Sequence, residues 1–143
     1  MPDIHLRADN GQYVCAEDGG GREVVANRDS AQEWETFTLE LIDGRFRGDS
    51  RIALRADNGQ YVCAEGGGGR EVVANRSARG PWETFTVERV PGRRGRGNVR
   101  TGDSIALRAD NGQYVCAEDG GGREVVANRD RAQEWETFTV ELI

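Results

Sequence analysis

Apolar residues recur at every second position over short runs, separated by turn-forming residues. Nowhere do they keep the three- and four-residue spacing of a helix. Ile4 and Leu6 alternate with His5 and Arg7, and Val14 and Ala16 with Tyr13, Cys15 and Glu17. Val24 and Ala26 alternate with Val25 and Asn27, and Phe37, Leu39 and Leu41 with Thr36, Thr38 and Glu40. Between the runs lie Asp9-Asn10-Gly11, where Asn-Gly adopts positive φ at little cost, a Gly-rich turn at 18–21 that excludes a helix, and a polar loop at 29–33. The pattern predicts four short strands. Their inward set is Ile4, Leu6, Val14, Ala16, Val24, Ala26, Phe37 and Leu39.

This unit occurs three times, at 4–42, 52–90 and 105–143, joined by connectors at 43–51 and 91–104. Three complete copies with no partial fourth predict a closed object, because an open solenoid needs capping repeats. Twelve short strands in three equal units within one domain spanning 1–143 predict an all-β fold, a β-trefoil with pseudo-three-fold symmetry. In that fold six strands close a barrel and three hairpins cap one end, which leaves few exposed edges.

Composition narrows the function. The chain has 143 residues and a net charge of −6, and its basic residues are all Arg. An acidic chain has no general attraction to phosphate backbones, so no nucleic-acid partner is expected. No apolar run approaches the ~18 residues of a membrane helix, so no membrane partner is expected either. Met1-Pro2-Asp3 runs straight into the first strand pattern without a signal peptide. An extracellular setting therefore implies a removed leader or a module of a larger protein. One His, no Lys and no unique carboxylate constellation argue against an enzyme, and no catalytic residue is assigned. Cys15, Cys63 and Cys116 hold equivalent positions. An odd number cannot pair internally, and three-fold symmetry separates them, so free thiols are expected, with no metal and no cofactor. The Gly-Gly-Gly stretches are not phosphate loops, since no Gly-Lys-Ser/Thr follows. The Arg- and Gly-rich stretch from Arg89 to Arg100 occurs once and reads as a flexible surface loop.

The recurring segments G-Q-Y-V-C-A-E, G-G-G-x-x-V-V-A-N-R and W-E-T-F-T, in that order in all three copies, resemble the fascin-like branch of β-trefoils. Fascins bundle actin with several trefoils in one chain, whereas bacterial fascin-like trefoils often accompany glycan-degrading enzymes. The chain is also similar to trefoil carbohydrate-binding modules for β-1,3- and β-1,6-glucans, which carry a Trp and a Glu in each of three sites. Ricin-type trefoil lectins are a poorer match, on the reading that their Gln-x-Trp signature is absent. The resemblance implies a monomeric, secreted, non-catalytic module that binds polysaccharide or oligosaccharide at three equivalent shallow sites, appended to a glycan-degrading enzyme. A protein-interaction trefoil, actin-binding or inhibitor-like, is the alternative.

Four residues per copy are candidates for such sites. Trp34, Trp82 and Trp135 are in step with the outward Thr positions of the last strand, and a flat indole can stack on the C–H face of a pyranose. Glu35, Glu83 and Glu136 follow each Trp directly; Glu17, Glu65 and Glu118 end the second strand. A carboxylate can accept two sugar hydroxyls. Glu35 shares the phase of Phe37, which also allows it to tie down the start of the strand. Asn27, Asn75 and Asn128 end the third strand, where a simple hairpin register places Tyr13 opposite Asn27 and lets Tyr13, Asn27 and Trp34 share a pocket. The neighbouring Arg28, Arg76 and Arg129 read as partners of Glu.

Overall fold

In the computed structural model, residues 3–89, 98–122 and 124–143 are described. Val90, connector residues 91–97 and Arg123 lie outside them. Each copy contributes four strands. The first supplies β1 (Asp3–Arg7), β2 (Tyr13–Ala16), β3 (Val24–Arg28) and β4 (Phe37–Leu41). The second supplies β5 (Arg51–Arg55), β6 (Tyr61–Ala64), β7 (Val72–Arg76) and β8 (Phe85–Arg89), and the third β9 (Ser104–Arg108), β10 (Tyr114–Ala117), β11 (Val125–Arg129) and β12 (Phe138–Leu142). The only helical elements among the described residues are six three-residue 3₁₀ turns, and none of these is long enough to cross a membrane.

Antiparallel pairing runs β1 to β4, β4 to β5, β5 to β8, β8 to β9, β9 to β12 and β12 back to β1, a closed six-stranded barrel. The hairpins β2–β3, β6–β7 and β10–β11 meet one another through single bridges, Glu23 to Val73, Val25 to Glu124 and Glu71 to Val126. A barrel of six capped by three hairpins is the β-trefoil. Its core is built from the period-two residues: Ile4, Leu6, Val14, Ala16, Val24, Ala26, Phe37 and Leu39 are all buried, with their equivalents. On the three-fold axis Leu6, Val14, Val24, Phe37 and their counterparts leave an apolar void of about 20 Å³. Its lining offers no polar partner for a water.

Three features depart from the sequence reading. First, the hairpins carry a bulge: Tyr13 pairs with Arg28, and the register then shifts to Cys15 with Val25. The extra residue on β3 moves Tyr13 away from Asn27. Second, the Cys15 face of β2 is not outward to solvent, and Cys15, Cys63 and Cys116 are fully buried. Third, the described ends of the connectors are structural. Phe46 and Val99 are buried in the core, and the Val99 N–H donates to the Phe46 carbonyl at 2.6 Å. Arg89, the first residue of the Arg-rich stretch, donates to Asp103 at 2.5 Å. These described connector residues thus pack against the barrel core.

Candidate functional site

The segment before each last strand is built by its own side chains. Glu33–Glu35 form a 3₁₀ turn. Glu35 Oε1 accepts the Gln32 backbone N–H at 2.7 Å, and Thr36 Oγ1 donates to the Gln32 carbonyl at 2.7 Å. Copy two repeats this with Glu83 on Gly80 N–H and Thr84 on the Gly80 carbonyl, and copy three with Glu136 and Thr137 on Gln133. Phe37 then enters the barrel. Each residue of Trp-Glu-Thr-Phe therefore has a distinct job: Glu and Thr tie the turn back on itself and Phe anchors it, which leaves Trp at its crest. Gln-x-Trp stands in copies one and three, as Gln32-Glu33-Trp34 and Gln133-Glu134-Trp135, while copy two has Gly80-Pro81-Trp82. This corrects the reading of the ricin-type signature as absent: it stands in two of the three copies. The group that it contributes to the turn is backbone, which Gly80 supplies equally well.

Trp34, Trp82 and Trp135 retain 38%, 41% and 39% of their surface. They are exposed because they stand in the middle of a 3₁₀ turn, not because of strand phase, since β4 begins only at Phe37. The pyrrole edge of Trp34 rests on Gly19: a Cβ built there would meet Cδ1 and Nε1 at 3.3 Å. The Gly-rich turn thus serves as a seat for the indole. Open clefts flank Trp34 and Trp135. One, of about 540 Å³, is lined by Arg28, Asp29, Ser30, Gln32, Glu33, Trp34 and Glu35. The other, of about 670 Å³, is lined by the equivalent residues of copy three around Trp135, together with Asp9 of copy one.

Asp9 marks a feature that sequence reasoning missed, because the site spans a repeat junction. The Asp-Asn-Gly turn of each copy docks on the Gly-rich turn of the preceding one. Asn58 N–H donates to the Gly19 carbonyl at 2.8 Å, and the junctions of Asn111 with Gly67 and Asn10 with Gly120 repeat this bond. The Asn58 side chain is pressed so closely on Gly20 that a Cβ there would lie 2.1 Å from Oδ1. The same docking brings Asp57 Oδ2 within 3.4 Å of that Gly19 position, beside Trp34. Asp110 and Asp9 stand likewise beside Trp82 and Trp135. The recurrence of Asp-Asn-Gly and Gly-Gly-Gly was visible in the sequence, but their contact across copies was not.

The other candidates are committed to the scaffold to different degrees. Glu35, Glu83 and Glu136 are buried. Besides capping the turn, Glu35 receives a hydrogen bond from the Cys15 thiol and lies 3.8 Å from Arg28 Nε. Burial and that bond push the Cys15 thiol up to about 12, and the same two causes act at Cys63 and Cys116. Arg28 turns its other end to Glu17 at 2.8 Å, and Arg76 and Arg129 hold Glu65 and Glu118 in the same way. Cys, Glu, Arg and Glu form one chain of bonds under each turn. Asn27 is exposed, and its side-chain oxygen accepts from Arg28; Asn75 and Asn128 do the same for Arg76 and Arg129. Tyr13 does not join the pocket. Its hydroxyl donates to Glu141 at 3.0 Å on the barrel wall, where Arg7 covers its ring. Burial and the Glu141 bond raise its pKa. Among the described residues no group of His, Cys, Asp and Glu is arranged to hold a metal.

No family model matches the chain, and no curated protein matches it. Solved structures do. The designed three-fold symmetric protein ThreeFoil superposes with a TM-score of 0.76 at 15% identity over 96% of each chain. An SDF2-like protein from Arabidopsis thaliana gives 0.76 at 11% identity, over 99% of this chain and 93% of that one. A lectin from Polyporus squamosus, solved bound to the epitope Neu5Acα2-6Galβ1-4GlcNAc, gives 0.74 at 11% identity, over 96% of this chain and 48% of that one. Such identities speak for fold alone, and with the closed barrel and its three capping hairpins they make this chain a β-trefoil.

Proposed function

We propose that the protein is a non-catalytic carbohydrate-binding β-trefoil that engages polysaccharide multivalently through its three indoles. The observation that carries this reading is the equivalent exposure of Trp34, Trp82 and Trp135, each held on the crest of a self-capped turn with one edge seated on glycine. A soluble domain seldom keeps a large aromatic in solvent three times over without a use. An indole held rigidly at its edge offers apolar area and a π-face to a pyranose at little entropic cost. A lectin that shares this fold over 48% of its chain was solved bound to a sugar epitope, which supports the reading. Glu35 and its equivalents are positioning residues here, because their oxygens already serve Gln32, Cys15 and Arg28. The exposed hydrogen-bonding groups beside each indole are the Asp of the neighbouring copy and, in copies one and three, Asp29, Glu33, Asp130 and Glu134. Single shallow sites should bind at about 1 mM, with the polymer adding avidity. The proposal includes β-glucan or a related polysaccharide as ligand, an extracellular setting, a monomeric state and attachment to a glycan-degrading enzyme. Retention on insoluble polysaccharides, compared between the parent and a Trp34→Leu, Trp82→Leu, Trp135→Leu variant, tests it. Retention by the parent and its loss in the triple variant are expected. Equal behaviour of the two proteins would overturn the indole reading.

A further inference from the structure

The three indoles stand in different fields. In copy one the exposed carboxylates of Asp29 and Glu33 line the cleft beside Trp34, and Asp57 of the next copy lies at the indole's glycine seat. Arg28, the cation lining that cleft, is already matched by Glu17 at 2.8 Å and Glu35 at 3.8 Å. Copy three repeats this with Asp130, Glu134 and Asp9 around Trp135, but adds Arg131 to the lining. Copy two differs in sequence where the others are acidic: Ser77 replaces the Asp and Pro81 the Glu, which leaves Asp110 alone beside Trp82. Its own extra cation, Arg79, donates to Glu40 at 2.9 Å on the barrel wall. The side chains of Glu33 and Glu134 make no hydrogen bond or ion pair among the described residues.

From this we infer that the Trp34 and Trp135 sites select glycans carrying protonated amino sugars, while the Trp82 site is the neutral member. The inference rests on the reading of the indoles as sugar platforms and adds the ligand's charge. An ammonium group on a pyranose stacked against an indole gains from the π-face. Carboxylates around the same face add to that attraction and reject acidic sugars. The sites exist because of the indoles and their clefts, and the carboxylates decide which sugar is preferred. Each exposed charge near the ligand contributes about fivefold at most in water. The amino preference should thus be several-fold at Trp34, smaller at Trp135 because of Arg131, and close to none at Trp82. Near 1 M salt, where the screening length is about 3 Å, it should fade.

The test follows the three indole Nε1–H signals by NMR in the full chain. They are assigned from single Trp→Leu variants, and titrated with a glucosamine tetramer, its fully N-acetylated counterpart and a neutral gluco-oligosaccharide. At low salt the expected result is a several-fold lower Kd for the amine than for the N-acetylated tetramer at Trp34, a smaller gain at Trp135 and equal affinities at Trp82. Asp29→Asn with Glu33→Gln keeps the shape and the Gln12 contact to Asp29. It should remove the gain at Trp34 and leave Trp135 untouched, with an unchanged melting temperature. Equal ratios at all three indoles, or a gain at Trp34 that survives this double substitution, would overturn the inference. So would a neutral oligosaccharide that shifts the indoles when the amine gains nothing, and in that case the platform reading stands. If no oligosaccharide moves any indole, both readings fall.

Discussion

Alkaline pH should unfold this protein through its thiols. Cys15, Cys63 and Cys116 are fully buried. Burial first, and then a hydrogen bond to Glu35, Glu83 or Glu136, raises each from 9.0 to about 12. The unfolded chain ionises its thiols near 9 while the folded chain holds them protonated. A raised folded pKa contributes stability that is complete below pH 9 and is lost as pH climbs from 9 toward 12. Each thiol costs a little over 1 kcal/mol per pH unit in that window, so three cost about 4 kcal/mol by pH 10. That is a large part of the roughly 5–15 kcal/mol that holds a domain together. Denaturant unfolding with a reductant present, followed by tryptophan fluorescence at pH 8 and pH 10, measures the loss. A Cys15→Ala, Cys63→Ala, Cys116→Ala variant separates the thiols from Tyr13, Tyr61 and Tyr114, whose raised pKa values act in the same direction but higher in pH. The variant should start less stable and lose far less between the two pH values. Equal losses in parent and variant, or thiolate absorbance appearing in the folded protein near pH 9, would mean that the buried thiols do not set the alkaline limit.

Two further substitutions probe the scaffold of the site. Gly20→Ala places a methyl 2.1 Å from Asn58 Oδ1 at a φ of 130° and should cost about 3 kcal/mol or more. Gly44→Ala, at φ 76° in open space, should cost about 1 kcal/mol; equal costs in denaturant melts would remove the repeat junction from the account. Glu35→Ala strips the acceptor from the Gln32 N–H and the Cys15 thiol and should cost about 3 kcal/mol. Glu35→Gln, which keeps an acceptor oxygen, should cost clearly less, and the difference in unfolding midpoints is the readout.

Much of the barrel was legible because alternation reports which face of a strand is covered. Ile4 and Leu6, or Phe37 and Leu39, need no other information. Alternation fails where the covering element comes from elsewhere. Cys15 looks outward along β2, yet the 33–35 turn of its own copy folds over it. A hairpin without a bulge would place Tyr13 opposite Asn27, and the one extra residue on β3 leaves no trace in the pattern. Phe46 and Val99 are single apolar residues in polar connectors, with no period to expose them. At the candidate site the exposure of Trp34 was anticipated, but from a strand register that does not extend to it. The site across the copies depends on contacts between turns far apart in the chain, such as Asp57 beside Trp34. Nor does the sequence show that oxygens of Glu35 and Glu17 are already bonded within the chain, to Gln32, Cys15 and Arg28.

If each indole serves one sugar site, the moles of a neutral gluco-oligosaccharide bound per chain at saturation, counted by equilibrium dialysis, equal the number of indoles. The parent is compared with Trp34→Leu, Trp82→Leu, Trp135→Leu and the triple variant. Leucine retains apolar contact with the glycine seat while removing the π-face, and a melting curve for each variant confirms that it is folded. Three sites are expected in the parent, two in every single variant, unchanged affinity at those that remain, and none in the triple variant. A parent that binds no sugar, or a folded triple variant that binds as many molecules as the parent, would contradict the assignment of one site to each indole.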